Sequence, residues 1–242
     1  MKRSVDVVLA AIGLVAASPL LGVVLFLIWL QDRKSPLYTP QRAAAGGGVF
    51  RMIKLRTMVM NADRLGGSST AANDRRITRI GSFVRRFKLD ELTQLWNVLV
   101  GEMSLVGPRP NLKEETDLYT AEERKLLSVR PGITDFASIV FADEGEILRD
   151  KPDPDLAYNQ LIRPWKSRLG IFYVEHRSVP LDLALIVLTL VSIVHRQAAL
   201  QGVQKLLCRL RAPAELVHIA GRRDTLTPHP PPGMSDVVTS KA

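Results

Sequence analysis

The longest pattern along the chain is an apolar run near its N-terminus. Charged residues stand at Lys2, Arg3 and Asp6. The next charge is Asp32, so residues 7–30 carry none. A helix rises about 1.5 Å per residue, so this run reaches about 36 Å and exceeds the ~30 Å hydrocarbon core of a bilayer. The pattern predicts a helix that enters a membrane.

Ser18 and Pro19 interrupt the middle of this run. Proline removes a helical hydrogen bond and clashes with the preceding turn, which favours a kink. Cations flank both ends, so the positive-inside rule does not distinguish them. Two interpretations stay open on the residues alone: a kinked spanning helix, and a bent re-entrant hairpin with both ends cytoplasmic. A cleaved signal peptide is disfavoured because the run is longer than a signal-peptide core.

Alternation and helical spacing predict shorter elements in the rest of the chain. Residues 49–58 alternate as a strand does, which places Lys54 and Arg56 on the same face. Further helices are predicted to begin near Asp90 and to cover 114–127, 158–168 and 183–194. The last apolar run is too short to span a bilayer and is predicted as an interfacial or core helix.

An arginine-rich amphipathic helix is predicted after Arg75. Its apolar stripe is formed by Ile80, Phe83, Val84 and Phe87. Its cations are Arg75, Arg76, Arg79, Arg85, Arg86 and Lys88. Such a helix either covers a core with a solvated charged face or lies on anionic headgroups, and both interpretations stay open.

Composition narrows the class of partner. The 242 residues carry a formal net charge of +9, which favours phosphorylated substrates, nucleic acid or an acidic membrane surface. The single cysteine, Cys208, excludes an intrachain disulfide. The four histidines are scattered, so a histidine-based metal centre is disfavoured and a hard, oxygen-ligated ion is left.

Asp90 and Glu91 are the first candidates for chemistry. Acidic residues favour the first turn of a helix through the macrodipole alone. The same field holds a carboxylate ionised, which suits a nucleophile or a Mg²⁺ ligand. The cations of the preceding helix strengthen that second interpretation.

Several stiffly held cations complete the set. Arg109 stands between Pro108 and Pro110, which restrict its backbone and prepare it to bind a phosphate or to form a rigid surface turn. Arg130 precedes another Pro-Gly turn. Positioning and charge neutralisation by such groups suit phosphoryl-group chemistry. The glycine-rich phosphate loops of kinases and dinucleotide enzymes are missing from the sequence.

Taken in order, these motifs resemble the bacterial sugar transferases, the monotopic polyprenyl-phosphate phosphoglycosyl transferases. The resemblance runs from Lys2 to about Val194 and is most specific in the block 97–110. The motifs are Ser18-Pro19, Lys54-Leu-Arg56-Thr-Met58, Leu89-Asp90-Glu91-Leu92, Asn97-Val-Leu-Val-Gly-Glu-Met-Ser-Leu-Val-Gly-Pro-Arg-Pro110 and Pro131-Gly-Ile-Thr134.

The resemblance implies transfer of a sugar 1-phosphate from a UDP-sugar to undecaprenyl phosphate with release of UMP. It implies that Asp90 is the nucleophile, which carries a covalent phosphosugar, and that Asp90 and Glu91 bind Mg²⁺. It also implies that Ser18 and Pro19 bend the N-terminal helix into a re-entrant hairpin. The cations expected to bind substrate phosphates are Lys54, Arg56, Arg109 and Arg130.

The expected protein is therefore an α+β, mainly helical, monotopic protein of the bacterial inner membrane, on its cytoplasmic face. Its parts would be a re-entrant membrane helix (1–34), a catalytic domain with a short β element and interfacial amphipathic helices (35–200), and a basic, disordered tail (201–242). Anionic lipid is an expected partner and nucleic acid is not. The oligomeric state stays open, a homodimer included.

Four departures from the family pattern stand out. Lys88 replaces a serine that caps the helix start in many relatives, and Thr93 replaces a common proline. Asp135 begins a divergent segment after Thr134, and Gly170 stands where an aspartate is common. These changes leave the sugar open.

A different class of function is weighed against the enzyme: a membrane-anchored, non-catalytic protein that binds anions or nucleic acid. Aromatic residues form only 6% of the chain and are not interleaved with the cations, which disfavours stacking on bases.

Overall fold

A computed structural model of the protein describes residues 1–65 and 69–239. The helices are α1 (Lys2–Asp32), α2 (Arg79–Arg86), α3 (Leu95–Val100), α4 (Lys113–Asp117), α5 (Phe136–Val140), α6 (Glu144–Ile147), α7 (Pro154–Ala157), α8 (Arg163–His176), α9 (Val179–Val194), α10 (Arg196–Arg209) and α11 (Ala214–Ala220). The strands are β1 (Leu37–Tyr38), β2 (Gln41–Ala43), β3 (Val49–Arg51), β4 (Lys54–Leu55), β5 (Ser104–Val106) and β6 (Gly132–Thr134). The mainly helical α+β class is confirmed.

Shorter helical turns connect these elements. Tight 3₁₀ turns cover Ala45–Gly47, Ala62–Arg64, Leu89–Gln94 and Glu123–Ser128, and a π-helical turn covers Tyr158–Ile162. The predicted helix near Asp90 therefore starts as a 3₁₀ turn before α3. The predicted helix 114–127 is wrong as one element, because α4 and a 3₁₀ turn replace it. The helix predicted over 183–194 is confirmed as part of α9.

The strand predicted over 49–58 is divided into β3 and β4. β3 pairs antiparallel with β2, whereas β4 pairs antiparallel with β1. Between them, the Ile53 amide donates to Asn97 Oδ1 at 2.9 Å and its carbonyl accepts from Thr93 Oγ1 at 3.0 Å. Side chains thus take the backbone bonds that a continuous strand would use.

The parallel pair β5–β6 joins two of the sequence motifs. Gly107 N–H donates to Thr134 O at 2.9 Å, and Gly132 N–H donates to Pro108 O at 2.9 Å. A Cβ on Gly132 would lie 2.0 Å from Gly107 N, so no larger residue fits there. This close approach fixes the course of the chain that leads into Arg109.

The start of α1 is bound to the same strand. Lys2 Nζ lies 2.5 Å from Asp182 Oδ2 and donates to Val106 O at 3.1 Å. Asp6 is buried and accepts from Ser104 Oγ at 2.8 Å. These bonds tie the first turn of α1 to β5 and to α9.

The second half of α1 packs on a different part of the same body. Leu21, Val24 and Ile28 are buried in a cluster with residues of β4 and α2. Asp32, the last helical residue, accepts two hydrogen bonds from Arg56 at 2.5 and 2.6 Å. Both ends of α1 are therefore fixed to the globular part.

The helix is continuous through Ser18 and Pro19, both of which are exposed. Pro19 has no N–H to give to Val15 O, and Ser18 Oγ donates to that carbonyl at 2.8 Å instead. The continuity of α1 does not distinguish a spanning helix from a re-entrant one. The re-entrant course therefore stays a prediction.

The tail predicted as disordered from residue 201 is ordered over most of its length, so that prediction is wrong. The proposed boundary at 200 falls inside α10, where Val203 and Leu207 are buried. Leu216 of α11 is also buried against the core. The apolar i, i+4 spacing in α10 explains its packing. Residues 240–242 lie outside the described part of the chain.

Beyond α11 an irregular segment, residues 226–238, lies against the π-helical turn and α8. The His229 ring stacks on Trp165 with 4.4 Å between centroids, and its amide donates to Gln160 O at 3.0 Å. Arg168 donates to Pro230 O at 2.9 Å, and Gln160 Nε2 donates to Val238 O at 2.8 Å. These bonds follow no periodic pattern of residues, so they could not be predicted from the sequence.

We expect His229→Ala to lower the free energy of unfolding by about 1 kcal/mol, because it removes an aromatic contact with Trp165. Chemical denaturation of the purified protein in detergent measures this change. Met234→Ala, at an exposed position of the same segment, is the matched control and should change stability much less. Equal stability of the two variants would contradict a structural role for the segment.

Candidate active site

Asp90 lies in the 3₁₀ turn after α2, with its carboxylate only 10% exposed. Lys88 precedes this turn in the left-handed conformation, with φ of 53°, which turns the chain back towards β4. The Lys88 carbonyl accepts a hydrogen bond from the Glu91 amide at 3.1 Å. This backbone bond closes the turn, which lacks the serine cap found in many relatives. Asp90 Oδ2 then lies 2.8 Å from Lys54 Nζ.

Lys54 is positioned through the backbone of the preceding residue, Ile53. Ile53 is fixed on both sides, through its amide by Asn97 and through its carbonyl by Thr93. Asn97 also donates to Arg51 O at 2.8 Å, which ties β3 to α3. Thr93 supplies a hydroxyl that a proline at this position would lack. Lys54 is therefore a pre-positioned cation.

The charge state of Asp90 follows from two opposing effects. Burial raises the pKa of the carboxyl, whereas the ion pair and hydrogen bond with Lys54, helped by Arg109 and Arg85, lower it further than burial raises it. The net result is a pKa below the ordinary aspartate value. Asp90 is thus a desolvated but ionised carboxylate, which is a state suited to nucleophilic attack.

Arg85 is a functional candidate that the sequence analysis left among the cations of the amphipathic helix. Its Nε donates to Thr57 Oγ1 at 2.9 Å, which holds the side chain half-buried near Asp90. Burial lowers the pKa of Arg85, and the attraction of Asp90 opposes this shift. The helical stripe predicted the element but not which arginine turns inward.

Glu91 and Arg109 form the second ion pair of the site. Arg109 Nη1 donates to Glu91 Oε1 at 2.9 Å. Burial lowers the pKa of Arg109, but Glu91 and other nearby carboxylates raise it further, so the net shift is upward. Arg109 thus lies beside the Asp90–Glu91 turn, and the phosphate binding predicted for Arg109 stays a prediction.

The two acidic residues also suit a magnesium ion. Each gives one carboxylate oxygen to a cation, while Asp90 Oδ1 and Glu91 Oε2 have no hydrogen-bond partner among the described residues. Within that same part of the chain, no cluster of three or more metal-binding side chains occurs. Mg²⁺ is commonly held by one or two carboxylates plus substrate phosphates, so this donor set fits it.

The remaining predicted cations lie elsewhere. Arg56 is 7% exposed and paired with Asp32 at the end of α1. Lys54 bonds to Asp90 instead, so the two cations have different partners although they are only two residues apart. Arg130 is exposed, and its side chain has no hydrogen-bond or ion-pair partner among the described residues. Phosphate binding by Arg56 and Arg130 stays a prediction.

A small cleft of about 30 Å³ opens beside Arg109. Polar and apolar side chains line it, from the β5–α4 connection, the start of α5 and the start of α8. The lining residues are Pro108, Arg109, Asn111, Tyr119, Leu126, Asp135, Ala137, Ser138, Tyr158, Arg163, Lys166 and Ser167. The divergent segment that begins at Asp135 thus forms part of this wall.

Two buried ion pairs keep the cations of this cleft neutralised. Lys166 is bonded to Glu144, and Arg163 Nη2 lies 2.6 Å from Glu123 Oε2. Burial raises the pKa of Glu144, but Lys166 lowers it by more. The residues that form these pairs are 22 and 40 positions apart, and no short sequence motif connects them.

The family model for bacterial sugar transferases matches residues 1–196. The chain belongs to the bacterial sugar transferase family. This match covers α1, the Asp90–Glu91 turn, the β5–β6 motifs and α9.

Several curated relatives carry names that specify an acceptor lipid or a pathway. The chain is 36% identical over 173 residues to the UDP-glucose:undecaprenyl-phosphate glucose-1-phosphate transferase of Caulobacter vibrioides, covering 69% of this chain and 65% of that protein. It is 40% identical over 148 residues to the exopolysaccharide production protein ExoY of Sinorhizobium fredii, covering 55% of this chain and 66% of that protein.

A third relative is longer. It is the UDP-N-acetylgalactosamine-undecaprenyl-phosphate N-acetylgalactosaminephosphotransferase of Aeromonas hydrophila, 33% identical over 177 residues. The match covers 71% of this chain and 42% of that protein. The chain therefore spans slightly less than two thirds of two of these relatives and under half of the third.

We expect Lys54→Met to raise the pKa of Asp90 above the ordinary aspartate value, because burial then acts without its main opposing cation. Carboxyl ¹³C NMR of aspartate-labelled protein, titrated from pH 4 to 8, measures the midpoint. Lys54→Arg keeps the charge and should hold the pKa low. An unchanged midpoint in Lys54→Met would show that Lys54 does not control Asp90.

Proposed function

We propose that the protein transfers a sugar 1-phosphate from a UDP-sugar to undecaprenyl phosphate. The products would be undecaprenyl diphosphosugar and UMP, which is the first step in the assembly of a surface polysaccharide or glycoconjugate. The names of the relatives support the lipid acceptor. The observation that carries the proposal is the buried, ionised Asp90 carboxylate between Lys54 and the Glu91–Arg109 pair.

The first step is attack by an Asp90 carboxylate oxygen on the phosphorus that bears the sugar. A bond forms between Asp90 and that phosphorus, and the bond to the bridging oxygen breaks, so UMP leaves with its electron pair. Arg109 and Lys54 lie where negative charge develops on the diphosphate. No general base is needed, because Asp90 is already ionised.

In the second step, Asp90 is the leaving group instead of the nucleophile. An oxygen of undecaprenyl phosphate attacks the same phosphorus and displaces the Asp90 carboxylate, which returns ionised. No proton is gained or lost overall at the reacting atoms. Asp90 and Glu91 would hold Mg²⁺, and the ion would supply positive charge that neutralises the diphosphate.

The course of α1 supports a monotopic position in the membrane. By length and composition, α1 is the one helix in the described part that is able to cross a bilayer, and only 17% of its apolar window is buried. Yet Lys2 at one end bonds to Asp182, and Asp32 at the other bonds to Arg56. Since both ends are fixed to one polar body, we infer that α1 enters and leaves through the cytoplasmic face.

The amphipathic helices extend this apolar surface. Phe83 of α2 and Phe87, which directly follows α2, are 54% and 40% exposed, and Trp96 of α3 is 52% exposed. These residues flank the turn that carries Asp90. We infer that they lie in the headgroup region, which places the carboxylate where a lipid phosphate and a water-soluble nucleotide sugar can meet.

Asp90→Asn should reduce UMP release by at least about 10⁴-fold, because an amide is not a nucleophile here. Membranes supplied with undecaprenyl phosphate and a panel of UDP-sugars allow the measurement. Asp117→Asn, an exposed aspartate of α4, is the control and should keep full activity. An Asp90→Asn variant with full UMP release would refute the mechanism. If the wild-type protein shows no turnover and the Asp90→Asn variant still binds anions, the non-catalytic alternative is favoured.

The monotopic position predicts the accessibility of three introduced cysteines in a Cys208→Ser background. Ser4→Cys and Ser235→Cys, exposed positions near the two termini, should resist a membrane-impermeant maleimide in intact spheroplasts and react after permeabilisation. Ser18→Cys should stay protected in both, since lipid would surround it. Labelling of Ser4→Cys in intact spheroplasts would instead mean that α1 spans the bilayer.

A further inference from the structure

Arg42 is an arginine of β2 that the proposed mechanism does not use. It lies opposite Phe50 in the antiparallel register of β2 and β3, so both side chains leave the hairpin on the same face. Phe50 is 7% exposed and belongs to the hydrophobic core. The neighbouring pair, Gln41 and Arg51, is exposed. The Arg42 side chain therefore starts from the inward face of the hairpin.

The guanidinium of Arg42 has no hydrogen-bond or ion-pair partner among the described residues, and its Nε is fully buried. Arg109 differs in this respect, because its guanidinium is paired with Glu91. Burying a cation without a partner costs free energy unless a ligand or water supplies the missing hydrogen bonds. Arg42 is thus a cation that an anionic ligand can satisfy.

The end of the Arg42 side chain is accessible to such a ligand. The residue as a whole is half-buried. Of its guanidinium nitrogens, Nε alone is both buried and unbonded within the described part of the chain. The two terminal nitrogens are unbonded there as well, so they keep contact with solvent. A ligand therefore reaches them from the surface and needs no closed cavity.

The strand β2 lies directly beside the segment that carries Arg109. The Ala43 amide donates to Asn111 O at 3.0 Å, which joins β2 to the chain two residues after Arg109. Burial lowers the pKa of Arg42, Glu115 raises it, and the positive charge of Arg109 lowers it further. The backbone bond and this repulsion place the two guanidinium groups near each other.

Arg109 connects this pair of cations to the reacting carboxylate. It bonds to Glu91 at 2.9 Å, and its charge also lowers the pKa of Asp90. The cations that most lower the Asp90 pKa are Lys54, Arg109 and Arg85, so Arg42 lies next to Arg109 and not next to Asp90. A guanidinium binds two oxygens of one phosphate at once. A phosphate at Arg42 would therefore lie beside the phosphorus that Asp90 attacks.

We propose that Arg42 binds the substrate phosphate that Asp90 does not attack. This inference rests on the proposed function. Two substrates carry such a phosphate: the UDP-sugar, whose second phosphate leaves as part of UMP, and undecaprenyl phosphate. Both offer the same phosphate oxygens to a guanidinium, and the experiment separates these two sources.

The test compares Arg42→Met with Arg51→Met, which removes an exposed arginine of the adjacent strand. If Arg42 binds the donor, Arg42→Met should raise the KM for the UDP-sugar and weaken inhibition by UMP about tenfold or more, since hydrogen bonds to a charged group are lost. If it binds the lipid, the KM for undecaprenyl phosphate should rise about tenfold instead, with UMP inhibition unchanged. Arg51→Met should leave all three values unchanged.

Arg42→Lys distinguishes phosphate binding from a purely structural role. Lysine keeps the charge but not the planar guanidinium, so it should weaken binding of the same substrate by less than Arg42→Met does. Thermal unfolding shows whether each variant folds. If Arg42→Met does not fold, a selective loss of about threefold in Arg42→Lys supports the proposal, and no selective loss overturns it. A folded Arg42→Met variant with both KM values unchanged, or with both raised equally, would also overturn it.

Direct binding separates this proposal from the proposed function. Isothermal titration with UMP and with farnesyl phosphate, a short lipid phosphate, is done in an Asp90→Asn background with and without Arg42→Met and needs no turnover. A weaker affinity for one of the two probes supports the site even if wild type releases no UMP, which would refute only the reaction. Equal affinities for both probes would overturn the site while leaving the reaction intact.

Discussion

The ion pair between Lys54 and Asp90 is the interaction on which the rest of the site depends. A carboxylate buried to this degree would take up a proton if it stood alone, because burial disfavours the charged form. Lys54 reverses that preference only while it stays within 2.8 Å. Its position in turn depends on Thr93 and Asn97, which hold the backbone of Ile53. A small buried network thus sets the ionisation of one side chain.

A few polar contacts also determine how α1 is positioned. Its exposed apolar face suits it to lipid, and polar bonds at Lys2, Asp6 and Asp32 determine where the helix lies relative to Asp90. Buried ion pairs gain little net stability because desolvation offsets attraction, and they specify geometry instead. Here they attach α1 to the rest of the protein at its two ends. The proposed reaction needs that geometry, since its two substrates differ in solubility.

Particular residues show how far prediction from sequence reached in the site. Asp90, Glu91, Lys54 and Arg109 were all predicted from motifs, and the structure brings them together in two ion pairs. Arg56 was assigned to the same group because strand alternation put it beside Lys54. Alternation gives only the face of a strand, whereas the partner of Arg56 is Asp32 at the distant end of α1. Asp135 was noted from the sequence only because the segment after Thr134 departs from the family pattern.

The sequence by itself determined the features that depend on neighbours along the chain. Apolar runs specified α1 and α9, the glycines of the β5 and β6 motifs specified a close backbone approach, and adjacency specified the Asp90–Glu91 pair. Only the tertiary structure decided which arginine faces Asp90, how Glu123 and Glu144 neutralise the cleft, and that residues 226–238 are ordered. Arg85 is oriented by Thr57, 28 positions away, and the other contacts also join residues tens of positions apart. No local periodicity encodes them, because their free energy comes from desolvation and partner geometry that exist only after folding.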